Sequence, residues 1–391
     1  MVFLLVLTYI AFIGMGLTNP LIGSAWPAMY EGLGVPIASA GLVQMMISGG
    51  AIGSGFFAGK IIKHLSFARS VIVSSIAIAI PILMMSLTQN FVLFCIWAIP
   101  LGLGTGLLDA TLNSFAAIHY KAKHINWMHC AWGIGSSIGP LIISLSLANW
   151  QSWNIGFRIV GTIQVGVFIL SLISFPIWKK TPTITTEDVK DVSGNLSVRE
   201  MLSLTGAKET FLAFFSFGTI GAILTIWGST YFVTVHGVSA DTAAGWISLY
   251  FLGMTIGRFL AGLLAIKLTN KRLLQLGELF LCLGILLMLL PVPTTVTLVG
   301  LFLAGLGCSP MFPCLIHETP KHFGNTYSQH IIGYQLAFAS FSMTVMPQLF
   351  GLLADKTSYK LLPPVLAVFL LLLIYTIQRL YHKIALKETT S

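Results

Sequence analysis

Asp109 is the residue in this chain best placed to do chemistry. It lies within residues 91–117, a stretch that is otherwise almost wholly apolar. A carboxyl group there costs about 2.5–3.5 kcal/mol if the stretch sits in lipid, so it is read as functional by default. Asn113 follows four residues later, on the same helical face. In the next apolar stretch Asn126 and His129 are three apart and share a face, with Gly133 one turn further on. The connection between the two stretches is short, so they are antiparallel neighbours, and the four polar side chains are expected to converge. The chemistry open to such a set is reversible proton binding at Asp109, with His129 tuning the carboxyl or hydrogen-bonding a ligand's hydroxyls. The plainer alternative is that Asp109 and His129 form a fixed pair pinning two helices together.

Other polar and aromatic side chains also interrupt apolar runs. Asn19 and Gln44 do so in the first half of the chain. Trp227, Tyr231, Tyr250, Tyr334 and Gln335 do so in the second. Amides are costly to bury unpaired, and with aromatic faces they make the surface that polyhydroxylated solutes bind. For each aromatic, packing or lipid contact is the competing role. Arg258 and Glu278 fall towards the same ends of successive apolar runs and read as a structural or gating charge pair. His317 and Glu318 close a later run as a contact at the membrane surface. The five cysteines, all inside apolar segments, lack metal-ligand spacing and read as small hydrophobes. No phosphate-cradling Gly-x-x-x-x-Gly-Lys-Ser/Thr motif, metal cluster or nucleophile motif is present. No cofactor, metal site or catalytic residue is expected, and neither an enzyme nor an ATP-driven pump is supported.

The elements that position these residues follow from composition. Of 391 residues, 56% are hydrophobic and only 8% charged, against about 25% charged in soluble domains. That excludes a water-soluble enzyme and a disordered chain. Twelve apolar segments can be counted, near 4–30, 37–62, 70–87, 91–117, 126–148, 156–178, 208–235, 241–266, 272–290, 295–316, 330–353 and 361–381. Each is long enough to cross a bilayer as a helix. The runs are continuously apolar, whereas strands of a membrane barrel would alternate. The first run is read as a span, not a cleavable leader. One long polar stretch, 179–206, divides the chain into six-span halves, 1–178 and 207–391.

The formal net charge is +9. The positive residues cluster in alternate short loops, such as Lys60–Arg69, Lys121–Lys123 and Lys267–Arg272, while the opposite loops hold only Lys356 and Lys360. This reads as a topology signal, with both termini cytoplasmic, and not as a nucleic-acid site. The sequon at Asn195–Ser197 then falls on the cytoplasmic side and is expected to stay unmodified.

The halves repeat at a constant offset of 203. Gly50 matches Gly253, Ala58-Gly59 matches Ala261-Gly262, Arg69 matches Arg272, and Gly102-Leu103-Gly104 matches Gly305-Leu306-Gly307. Six spans intervene, so the copies run parallel, related by an axis along the membrane normal. On this layout, and on the loop Gly55-Phe-Phe-Ala58-Gly59-Lys60 with Lys63 and Arg69, the chain resembles the major facilitator superfamily over essentially its full length. Residues 102–113 (Gly-rich, then Asp109 and Asn113) are similar to the fourth span of the fucose permease-like sugar:cation symporters. Residues 126–140, with Asn126, His129, Trp132 and Gly133, resemble their fifth, which adds Trp132 to the candidate binding residues. The chain departs from that branch at 19–27, where an acid is usual and Gly23 or its neighbours stand instead. A two-acid proton mechanism therefore does not transfer.

The expectation is an all-α membrane protein of twelve helices in two six-helix bundles. It would act as a secondary transporter by alternating access, symporting a monosaccharide or similar polyhydroxylated solute with protons, sodium being the alternative ion. It is expected to act as a monomer in the cell or inner membrane, with lipid and a small polar solute as its partners. The rival readings are an exporter of drugs or amphiphiles with the same fold, a non-transporting membrane sensor and, least supported, a membrane enzyme.

Overall fold

The computed structural model describes residues 2–178 and 198–390. Most of the expected 179–206 loop, including Glu187, Asp188, Lys190, Asp191 and the sequon, lies outside the described residues. Thirteen α-helices follow one another, and no strand occurs among the described residues. They are α1 (Val2–Thr18), α2 (Leu21–Met29), α3 (Ser39–Leu87), α4 (Phe91–His119), α5 (Ala122–Trp150), α6 (Trp153–Trp178) and α7 (Val198–Ser203). Then come α8 (Ala207–His236), α9 (Ala240–Leu264), α10 (Asn270–Leu289), α11 (Thr294–Cys308), α12 (Met311–Lys356) and α13 (Leu362–Thr390). In hydrocarbon a backbone must satisfy its own polar groups, and a helix does so within one segment.

The helices and the twelve expected spans differ in number for local reasons. The second and third spans run together as α3, bent at Ser66 (φ 73°, ψ 164°), and the tenth and eleventh meet in α12 at Gly324 (φ 74°, ψ 164°). This backbone region is essentially restricted to glycine, so Gly324 adopts it freely and Ser66 under strain. Conversely, the first span is cut between α1 and α2 at Asn19-Pro20, and the tenth between α11 and α12 at Ser309-Pro310. Proline lacks the N–H that would continue the ladder.

The repeat is visible in packing. A Cβ on Gly50 would strike Ile99 O and Leu103 N, and one on Gly253 would strike Phe302 O and Leu306 N, the same positions 203 residues on. Gly104 likewise abuts Ile78, and Gly307 abuts Leu281. Only glycine lets these backbones approach so closely.

The chain forms two compact units. Of the described residues, the first comprises 2–178 together with Thr225–Leu252 and Pro347–Lys360. Within it, α1 lies on α5 at glycine contacts, where Gly135 faces Ile13 O and Gly16 faces Trp132 O. Gln164 of α6 donates to Gly14 O at 2.6 Å. The added segments are two hairpin tips, α8 to α9 and α12 to α13, and they pack directly on the first six spans. Gly23 of α2 sits against Thr225 O and Ile226, Gly41 of α3 against Gln348, and Gly245 of α9 against Ser144 of α5. Of the described residues, the second unit holds 198–224, 253–346 and 361–390. Here α10 and α11 cross at Gly284 and Gly300, each within reach of the other's carbonyl.

Candidate functional site

Helix α4 carries a stripe of exposed apolar residues, Val92, Ile96, Ile99 and Leu103, with the spacing of a lipid-facing ridge. Asp109 lies about 110° round the helix from it, on the side where Ala98, Gly102 and Ala116 are buried. Asp109 itself is exposed at the protein's molecular surface. Asn113 Nδ2 donates to its Oδ1 at 3.0 Å and to its backbone oxygen at 3.0 Å. The sequence spacing thus produces a carboxylate–carboxamide pair on a helix face turned away from the lipid ridge.

His129 is half-buried on α5, edge-on to Phe12 of α1 with ring centroids 5.5 Å apart. The His129 ring thus meets Phe12 of α1, and the Asp109 carboxylate is held by Asn113 of its own helix. Asn126, a turn before His129, is exposed. At the turn between α4 and α5, the Tyr9 hydroxyl lies 3.3 Å from His124 Nδ1. Burial, with Tyr9 beside it, pushes the Tyr120 phenol up to about 12, so it stays a neutral hydroxyl at physiological pH.

Asn19 is exposed at the α1–α2 break. Gln44 is half-buried and donates to Ser48 Oγ at 2.9 Å. Trp132 is half-buried with its ring 6.2 Å from Phe251, which in turn meets Tyr250 at 5.1 Å. Aromatics of α5 and α9 are thus brought together within the first unit. Tyr334 is half-buried against Phe211.

Several candidates lie in packed interior. Trp227 is fully buried, its indole N–H donating to Pro347 O at 2.8 Å and its ring lying against Phe350 and Tyr359. It holds the two hairpin tips together and presents nothing to a solute in this arrangement. Gln335 is buried and paired with the Thr319 hydroxyl, Nε2 to Oγ1 2.9 Å. Tyr231 is buried with its hydroxyl 3.1 Å from His236 Nε2, and Tyr250 is buried too.

The expected Arg258–Glu278 pair does not form. Arg258 Nη2 reaches Met254 Sδ on its own helix, and the Glu278 Oε1 atom is buried without a hydrogen-bond partner among the described residues. Ion pairs among those residues fall instead on Glu318, with Lys321 and His322, and on Glu209, with Arg379 and Lys383. Position along neighbouring helices does not fix azimuth, and Glu278 follows Gly277, which is pressed against Gly307 O and Pro310. Glu318 also accepts from Asn270 at 2.7 Å, so the contact expected at 317–318 is an ordered network. The Glu209 cluster was not legible in the sequence, because its partners lie on the last helix, Lys383 being 174 residues away, with no local signal.

The family profile described as Major Facilitator Superfamily matches residues 4–316 and, in a second match, 210–387. The chain belongs to that superfamily. Its members' transport function, the apolar helices and the multi-pass membrane architecture agree with the fold described above. The Glucose/mannose transporter GlcP of Bacillus subtilis (strain 168) is 21% identical over 350 residues, 88% of this chain and 86% of that one. Among solved structures, the nucleoside transporter NupG superposes with a TM-score of 0.78 at 13% identity, covering 95% of this chain and 98% of that one. The fucose:proton symporter FucP of E. coli does so with a TM-score of 0.65 at 17% identity, covering 95% and 98%. At these identities the structures speak for the fold alone, and this superfamily member's solute must be argued from its own residues.

Proposed function

We propose that this superfamily member is a proton-coupled symporter of a monosaccharide or similar polyhydroxylated solute, working by alternating access in the cell membrane with both termini cytoplasmic. The observation that carries the reading is the Asp109–Asn113 pair, an accessible carboxylate on the face of α4 away from lipid. Asp109 takes up and releases the proton. Asn113, Asn126, Asn19 and Gln44 supply amide groups for hydroxyls, and the half-buried Trp132 supplies a face for ring C–H groups. His129, one turn after Asn126 on α5, offers an imidazole to a solute hydroxyl. The likeness to a glucose/mannose transporter supports the solute class.

The hairpin tips packed on the first six spans fit one end state of such a cycle, closed at the end remote from the basic loops. In the other state those contacts separate. The first unit's glycine contacts suit this role, because backbones that meet without interdigitating side chains can part and re-form.

The test is uptake into proteoliposomes of labelled glucose, mannose, fucose and a nucleoside, under an imposed pH or sodium gradient. Sugar accumulation driven by the pH gradient, and lost in Asp109→Asn with downhill exchange retained, is the expected result. Unchanged accumulation and pH dependence in Asp109→Asn would exclude the carboxylate as carrier. Accumulation driven by sodium alone would replace the ion, and transport of the nucleoside alone would replace the solute.

A further inference from the structure

A cavity of about 720 Å³ opens where α7 meets the start of α8 and the end of α13, all within the second unit. It is lined by Lys208, Glu209, Lys383, Leu202, Leu204 and Leu386, with the Ser203 and Thr205 hydroxyls at its edge. The charge around it is unbalanced. Lys383 Nζ lies 2.6 Å and Arg379 Nε 3.3 Å from the same Glu209 oxygen, Oε1. Lys208 is exposed, next to Glu209 in sequence. Among the described side chains at the cavity, one carboxylate thus stands with three cations, leaving two positive charges in surplus. Glu200, one turn before Ser203, does not line the cavity.

Position and apolar content narrow the ligand. Two segments long and apolar enough to cross a bilayer, Ala207–His236 and Tyr359–Leu386, begin and end at the cavity, a position that corresponds to headgroup depth. Leu386 is 52% exposed at its rim, which suits contact with an acyl chain and not with a freely soluble anion. The volume falls in the range of about 300–1,000 Å³ common to ligand sites. Basic pockets between membrane helices recognise anionic headgroups because phosphate pairs with lysine and arginine in a poorly screened layer.

We propose that this cavity binds the phosphate of an anionic phospholipid, with Lys208 and Lys383 as its cationic contacts, Arg379 in support, and the leucines against the acyl chain. The surplus of positive charge over Glu209 selects anionic over zwitterionic lipid. The lipid would fasten the end of α13 to the start of α8. This site is separate from Asp109, so its test does not depend on the solute or the coupling ion.

The experiment is native mass spectrometry of the purified full chain titrated with phosphatidylglycerol, phosphatidylcholine or inorganic phosphate. A preference for phosphatidylglycerol over phosphatidylcholine is expected, weakened about fivefold by Lys208→Gln and further by the double change with Lys383→Gln. Inorganic phosphate at equal concentration should not compete. Equal binding of the two lipids, or an undiminished preference in Lys208→Gln, would overturn the proposal. Full competition by inorganic phosphate would overturn the lipid as ligand. Lys383 pairs with Glu209, so the double variant is read only if its thermal unfolding matches the parent. Lys208→Gln, at an exposed position, decides the matter alone if it does not.

Discussion

Gly23→Ala tests whether the contact between α2 and α8 opens during transport. The new Cβ would lie 2.0 Å from Thr225 O, 2.7 Å from Ile226 Cα and 3.0 Å from Ile226 O. These are backbone atoms, so no rotamer change relieves the clash. Restoring ordinary contact requires the helices to separate by roughly 1.4 Å, and overpacking of this kind costs about 1–3 kcal/mol. If the contact exists in only one end state, the whole cost falls on that state and shifts the equilibrium about 5–150-fold towards the other. Gly135→Ala is the control. Its Cβ would lie 2.0 Å from Ile13 O, an equal clash, but between α1 and α5 of the same bundle. It should lower stability without favouring either end state. The assay is labelling of Ser144→Cys by a membrane-impermeant thiol reagent in a background depleted of native cysteines. Ser144 lies under Gly245 at the same closure. Gly23→Ala should raise labelling at least fivefold and slow uptake, while Gly135→Ala should leave labelling alone. Unchanged labelling with Gly23→Ala, alongside a lower melting temperature, would refute a separating contact and make it a permanent seam.

Three further outcomes are expected. Trp227→Ala should cost about 3–5 kcal/mol, read as an early thermal transition in detergent, because it empties a fully buried site and strands Pro347 O; a loss of affinity without destabilisation would return Trp227 to the binding surface. Glu278→Gln should leave the melting temperature unchanged or raise it, since it removes a buried ionisable group whose Oε1 makes no hydrogen bond among the described residues; a loss of several degrees would show a partner for that carboxyl. Ser66→Gly should stabilise by about 1 kcal/mol, relieving a backbone conformation that glycine adopts freely, and a destabilised variant would show that the bend is not strained.

The class of molecule was written in composition, because a chain with so little charge cannot present a wetted surface. The repeat was also legible, and for a local reason. Glycines at a fixed offset mark places where one backbone must touch another, and Gly50 with Gly253, or Gly104 with Gly307, meet equivalent neighbours in their own units. The Asp109–Asn113 pair was legible too, since a spacing of four on one helix sets both distance and face. Contacts between segments far apart in sequence were not. Arg258 and Glu278 were placed at the same depth but do not pair, Trp227 was read as a ligand group but closes a hairpin seam, and Glu209 found partners on the last helix. Depth follows from counting residues along a helix. Azimuth, and which distant segment fills the space opposite a side chain, is set only when all the helices pack at once.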